Sequence, residues 1–222
     1  MQSEVQRAFN SVKSKLLKLY PIDEPEDEVL TSKVAIEGTK EEIVEGISEG
    51  DLDLEDADDE FKKDRDIVLA AIKQDGYALG YADDSLKKDK DIVLVAVKNY
   101  GSALQFADDS LKKDKDIVLV AIKQDGTALE FADDSLKKDR DIVLVAIKQD
   151  GNALEHADDE LKKDRDIVLV AVKNYGSLEH ADDELKKDRD IVLAAVEQDE
   201  DALEYADDSL KEDEDIKKLL DN

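Results

Sequence analysis

Hydrophobic positions in this chain come in compact runs that recur at a fixed distance. Each run follows an Asp with Ile-Val-Leu, continues through small and β-branched residues to Lys, and gives way to a polar turn with glycine. An Ala-Leu pair, an acidic pair and a basic pair then lead into the next run. Residues 116–140, DIVLVAIKQDGTALEFADDSLKKDR, are repeated by residues 141–165 at 22 of 25 positions. Units start at Asp66, Asp91, Asp116, Asp141, Asp166, Asp190 and Asp215, 25 residues apart except for 24 between Asp166 and Asp190. Such a period is the signature of a solenoid, whose units bury a continuous core between neighbours.

The β-branched content of IVLVAV favours a strand, but the less regular end copies argue for a helix. EEIVEGISEG keeps only Ile43, Val44 and Ile47, and the last copy keeps Ile216, Leu219 and Leu220. Steps of three and four are helical, whereas a strand would alternate by two. Each unit therefore predicts a helix A, residues 115–125 in the third unit, apolar nearly all round because neighbours cover both flanks. Glycines 76, 101, 126, 151 and 176 predict a left-handed cap just beyond it. A short helix B is predicted to open on capping boxes at Ser102/Gln105, Thr127/Glu130, Asn152/Glu155 and Asp201/Glu204. Leu104, Ala107 and Leu111 form its apolar stripe, and DDSLKKD is expected to add a further turn. In the fifth unit GSALQF shortens to GSLEH, which places the missing residue in the A–B turn with both registers kept. In the sixth, Glu200 stands where glycine is usual, so helix A is expected to fray or overrun there.

The pattern divides the chain into five parts. Residues 1–20 carry Val5, Phe9, Val12, Leu16 and Tyr20 at helical spacing and form an amphipathic helix expected to pack on the first repeat. A basic helix of this kind also suits a membrane surface, although one so short would bind lipid weakly. Residues 21–40 are an acidic connector and cap, and 41–65 a degenerate first repeat, in which ADDEFKKDR (57–65) matches ADDSLKKDK (82–90). Residues 66–214 are six tandem repeats, and 215–222 a C-terminal capping helix.

Composition sharpens this picture. Hydrophobic and charged residues each make up 41% of the 222 residues, a split that suits helices buried on one side and solvated on the other. The absence of Cys excludes disulfides and thiolate metal sites. No apolar run approaches the roughly 20 residues of a membrane span, and the N-terminus lacks the apolar core of a secretory signal, so a soluble, cytoplasmic protein is expected. The net charge of −28 is uneven: residues 21–65 carry −13 and residues 190–214 carry −10, while the middle units are close to neutral.

The residues 86–126, LKKDKDIVLVAVKNYGSALQFADDSLKKDKDIVLVAIKQDG, resemble the repeats of a bacterial domain-of-unknown-function family, number 4116. Its pattern is a leucine, a basic–Asp run, a V-L-x-A-V core, a glycine and an A-L-x-x-A continuation. The likeness covers about residues 41–222 and departs at the ends, as at Glu200. It implies the fold and brings no established activity.

The recurring pairs Asp83/Asp84, Asp108/Asp109, Asp133/Asp134, Asp158/Asp159, Asp182/Asp183 and Asp207/Asp208 are paired carboxylates. Catalysis needs two acids in unlike environments, and a Ca²⁺ loop needs alternate oxygen ligands and a Gly turn, so these pairs are expected to cap a turn and to pair with Lys of the next unit. One column holds a ring in every full unit: Tyr81, Phe106, Phe131, His156, His180 and Tyr205. Stacked helices lie roughly 8–10 Å apart, too far for the two imidazoles to share a metal at ~2 Å bonds. The column is thus a partly buried seam or an exposed aromatic ladder, with Tyr100 and Tyr175 adding to such a surface. There is no nucleophile triad, phosphate loop or metal motif, and basic residues form no nucleic-acid stripe.

The expected fold is an all-α solenoid, of either hand, with about seven tandem ~25-residue two-helix repeats and capping ends. The expected function is a non-catalytic scaffold that holds a protein partner, and its acidity favours one with a basic surface. No cofactor, metal, direct nucleic acid or membrane span is expected. The alternative is an acidic nucleic-acid mimic that inhibits a DNA- or RNA-binding enzyme through a patch at Asp199, Glu200, Asp201 and Glu204.

Overall fold

The computed structural model describes residues 39–220. The amphipathic segment 1–20 and nearly all of the connector 21–40 lie outside the described residues. Residues 39–220 form an all-α array of tandem units, without a strand among the described residues. Eight principal helices set the period: α1 (Lys40–Glu49), α2 (Arg65–Gln74), α3 (Lys90–Asn99), α4 (Lys115–Gln124), α5 (Arg140–Gln149), α6 (Arg165–Lys173), α7 (Arg189–Val196) and α8 (Glu214–Leu220). The second element of a full unit is a six-residue 3₁₀ helix, such as Gly101–Phe106 or Gly126–Phe131, and a four-residue α-helix, such as Asp109–Lys112, completes it. The unit therefore has one principal α-helix and two short helical pieces: the second element is 3₁₀ where an α-helix is expected, and DDSLKKD adds the expected further turn.

Each principal helix after α1 starts at an Asp. Asp114 accepts from the N–H groups of Asp116 and Ile117, and Asp64, Asp89, Asp139, Asp164, Asp188 and Asp213 do the same for their helices. These bonds satisfy donors that the first turn leaves without intrahelical partners. The six-residue 3₁₀ helices that carry a side-chain cap are capped one residue before the glycine, not at Thr127 or its equivalents, and only in the short fifth unit does that equivalent, Ser177, cap through its hydroxyl. Asp125 accepts from Thr127 N–H, as Asp75, Asp150 and Asp199 do from Tyr77, Asn152 and Asp201. The expected capping boxes thus give way to an Asp on the first side of the turn.

The glycines also serve a different end. Among the described residues only Gly50, beyond α1, is a glycine with positive φ, so glycines 76, 101, 126, 151 and 176 are not left-handed caps. They permit close approach instead. A Cβ on Gly126 would lie 2.6 Å from the Ala146 carbonyl oxygen and 2.9 Å from Asp150 N, in the last turn of the next unit's helix. At Glu200 the backbone also has negative φ and the side chain is exposed. Helix α7 ends at Val196, yet Asp199 N–H still bonds the Ala195 carbonyl as Asp125 bonds Ala121.

The principal helices pack on one another in a row, and each 3₁₀ helix from Gly76–Tyr81 to Gly151–His156 wedges between its own unit's helix and the next. Ile117, Val118, Ala121 and Ile122 of α4 are fully buried, as are Ala128 and Leu129 of the following 3₁₀ helix. Burial of each large side chain stabilises by roughly 1.5–3 kcal/mol, and the same positions recur from unit to unit. The outer face of the row is less covered than expected, because Leu119 and Val120 and their equivalents are only half-buried.

Polar links stitch the units together. The Asp108 N–H donates to the Lys87 carbonyl at 3.0 Å and Asp133 to Lys112 at 3.0 Å. The cation that opens one helix reaches the capping Asp of the next: Lys90–Asp114 at 2.6 Å, Lys115–Asp139 at 2.8 Å, Arg140–Asp164 at 3.2 Å and Arg165–Asp188 at 2.7 Å. Asn99 and Asn174 donate backwards to the carbonyls of Ile72 and Ile147, closing helix ends across the unit boundary.

The short fifth unit absorbs its missing residue in the turn. Helix α6 stops at Lys173, Tyr175 takes φ 59, and the 3₁₀ helix shrinks to Leu178–His180. Leu178, Ala181, Ile191 and Val192 remain buried, so the apolar register survives on both sides.

Candidate partner-binding surface

The ring column ends the 3₁₀ helices, where the backbone turns outward at an extended Ala. Tyr81 and Tyr205 at the ends of the column are exposed at 43% and 38%. Phe106, Phe131, His156 and His180 between them are half-buried. The middle is therefore a seam, and only the ends are open rings.

At the first full units the column widens into a cluster. The Tyr77 ring lies 4.4 Å from Tyr100 and 5.6 Å, edge-on, from Phe106. Phe106 sits over Gly80, where a Cβ would approach its ring to 2.9 Å. Such tilted and edge-to-face contacts favour aromatic pairs beyond simple burial. Tyr100 remains 43% exposed. Because Tyr100 replaces the capping Asp, Gly101–Phe106 has no side-chain cap, and Ser102 Oγ donates to Asp125 of the next unit at 2.7 Å.

Tyr77 is the residue that sequence reasoning missed. Its signal is an exchange of sizes within one unit: Tyr stands where other units have Ser, Thr, Asn or Asp, and Gly80 stands where they have Gln or Glu. Tyr175 matches Tyr100 in sequence but not in placement. It projects at 74% exposure from its left-handed backbone.

Carboxylates surround the open rings. A hydrogen bond to Glu55, with the charges of Glu55, Asp53 and Asp75 nearby, pushes the Tyr81 phenol above its usual range. Tyr77 is raised by its hydrogen bond to Tyr100, then by burial. Asp125 is opposed by desolvation, yet the bonds from Thr127 and Ser102 hold it below the ordinary carboxylate range. Tyr205 is raised chiefly by the charge of Glu179.

Burial lowers the His156 imidazole, and His180 Nε2 lies 3.8 Å from a Glu155 carboxylate oxygen. No group of three or more metal-donor side chains forms among the described residues. Asp199, Glu200, Asp201 and Glu204 share one 3₁₀ helix and its cap, all exposed, but Asp199 is engaged as the cap.

The acidic pairs divide their work. Asp108 caps Asp109–Lys112 through Ser110 N–H at 3.0 Å, as Asp83, Asp133 and Asp207 do in their units. Their ion pairs run to Lys of the preceding unit, as Lys88–Asp108 at 3.9 Å and Lys113–Asp133 at 3.7 Å, not of the following one. The second members, such as Asp109, stand 93% exposed beside the lysine three residues on.

No helix among the described residues is long and apolar enough to cross a membrane. No curated protein and no solved structure matches the chain. The family model described as "Domain of unknown function (DUF4116)" matches six stretches, the last five overlapping: residues 40–87, 89–137, 114–162, 139–186, 164–211 and 188–218. These stretches cover most of the chain in the register of its helices, and the protein belongs to the DUF4116 repeat family.

Proposed function

We propose that the protein is a non-catalytic helical-repeat scaffold whose aromatic cluster at Tyr77, Tyr81, Tyr100 and Phe106 holds a basic segment of a protein partner. Two observations support this reading: Tyr100, 43% exposed, rests on the packed Tyr77 and Phe106 rings, and Tyr81, equally exposed, stands among the carboxylates of Glu55, Asp53 and Asp75. Rings held by packing lose little freedom on binding, and aromatic anchors carry a large share of interface energy. A guanidinium over a tyrosine face gains from the ring quadrupole, and Glu55 and Asp75 lie ready to accept its N–H groups.

Besides the exposed patch at Asp199, Glu200, Asp201 and Glu204, the nucleic-acid-mimic reading draws on the exposed row Asp84, Asp109, Asp134, Asp159, Asp183 and Asp208, one carboxylate per unit. Each has a lysine within 2.9–3.8 Å three residues on, which offsets the charge a phosphate mimic needs. The scaffold is the better account.

The test is titration of an arginine-containing peptide into the protein at physiological salt. Tyr81→Ala with Tyr100→Ala should weaken binding by roughly 2 kcal/mol or more if either ring is a hot spot, with the helical signal unchanged. Retained binding in that variant, together with loss on neutralising Asp199, Glu200, Asp201 and Glu204, would overturn the scaffold in favour of the mimic.

A further inference from the structure

A second surface, on the outer face of the principal helices, has the opposite chemistry. In α3 the exposed side is formed by Asp91, Leu94, Val95 and Lys98, at the three- and four-residue steps of one helical face. Stacking the units turns these positions into parallel rows. The half-buried pairs Leu94/Val95, Leu119/Val120 and Leu144/Val145 make an apolar stripe, which continues through Leu169 and Val170. Where the valine becomes Ala70, the stripe sinks into a shallow groove of about 270 Å³ over Val44, Leu69 and Ala70, rimmed by Asp66, Lys73 and Gln74.

One edge of the stripe holds the exposed Asp91, Asp116, Asp141 and Asp166 beside the cations that open the helices, and those cations are tied to the next unit's capping Asp. The other edge is Lys73, Lys98, Lys123, Lys148 and Lys173, all exposed and without an ion pair among the described residues. Lysine in a last turn complements the helix dipole. That accounts for one lysine at a time, yet α1 forms with Ser48 at this position, and Glu197 follows α7 there. The free lysines are instead confined to the units between, which also carry the stripe. In a molecule of net charge −28, a row of unmatched cations beside apolar side chains asks for an acidic, amphipathic occupant.

We propose that this face binds an acidic amphipathic α-helix of a partner protein, laid across the row of principal helices. The repeat distances match. Packed helices lie roughly 8–10 Å apart, and seven residues of an α-helix rise about 10.5 Å and return to the same face. A heptad-spaced leucine can thus meet one Leu-Val pair per unit, and a heptad-spaced glutamate one lysine per unit. An extended strand covers that distance in about three residues and presents its other face.

The probe is a synthetic three-heptad peptide with leucine on one face and glutamate along one edge, measured against a twin with lysine for glutamate, at about 0.15 M salt where exposed charges are screened beyond about 8 Å. The acidic peptide should bind, and the variant Lys98→Gln, Lys123→Gln, Lys148→Gln and Lys173→Gln should bind it at least tenfold more weakly. The basic twin should show no dependence on those four lysines, and the Tyr81 and Tyr100 substitutions should leave the acidic peptide's affinity intact. These lysines are exposed, so the variant keeps its helical signal and unfolding midpoint. Failure of the acidic peptide to bind, or equal binding by the variant, overturns the proposal. A rise in affinity when Asp23, Glu24, Glu26, Asp27 and Glu28 are replaced by their amides also overturns it, because the chain's own acidic stretch is then the occupant.

Discussion

A glycine that looks like a cap proves to be a clearance. At Gly126 the backbone is open to any residue, and the constraint comes from the Ala146 carbonyl 2.6 Å from where a Cβ would stand. The two roles predict opposite signs for Gly126→Ala. At a compatible, uncrowded position alanine stabilises by about 0.4–1 kcal/mol through the unfolded chain. Here it should destabilise by about 1–3 kcal/mol, the usual cost of overpacking, as a drop in the urea midpoint. The sequence shows glycine at that place in unit after unit but not its obstacle, because the crowding groups lie 20–24 residues further on. Tyr77 was hidden for the same reason: its partners Tyr100 and Phe106 belong to the next unit. Asp83 and its equivalents were legible as caps because their hydrogen bonds are local.

At the scale of elements, the principal helices were legible from the steps of three and four in the end copies, where one flank turns polar. The 3₁₀ character of the second element was not. Its Ala-Leu pair fits one turn of either helix, and the choice falls to the gap left between two principal helices. The fifth unit shows what that gap demands. Losing one residue leaves Leu178 and Ala181 in the core and moves the strain to Tyr175 at φ 59, a region that costs a non-glycine residue about 1–2 kcal/mol. Inserting Ala between Ser177 and Leu178 should restore a six-residue 3₁₀ helix and bring this tyrosine to the extended backbone of Tyr100. The expected gain is about 1 kcal/mol in urea unfolding, with the far-UV helical signal kept or raised.

For the whole molecule, cohesion between units depends on carboxylates that must stay ionised. Lys90, Lys115 and Arg165 hold Asp114, Asp139 and Asp188 below the usual carboxylate range, and Arg189 draws Asp213 down to about 2. A group whose pKa is lower in the folded than in the unfolded chain gives stability that is present above its unfolded value, near 4 for Asp. That stability is lost as pH falls through the folded value. His156, lowered by burial, works in the same direction below about 6.5. The urea midpoint should therefore slip slightly from pH 7 to 5 and fall steeply from pH 4 to 2; a flat profile across that lower window would remove the ladder from the account of cohesion. The array itself was plain in the sequence, but which surface of it meets a partner was not, since a period repeats every face alike.

The ladder also has a direction. Every rung joins a cation of one unit to an Asp of the next, so its two ends differ, like the hook and eye of a clasp. At the first end, Thr39 takes the place of the Asp and offers its hydroxyl as the cap of α1. At the last, Glu214 occupies the position where the earlier principal helices open with Lys or Arg. A second copy arriving head to tail finds a hydroxyl where it needs a carboxylate and a carboxylate where it needs a cation. Among the described residues the ladder thus opens on a hydroxyl and closes on a carboxylate, and neither is the group that one more rung would use.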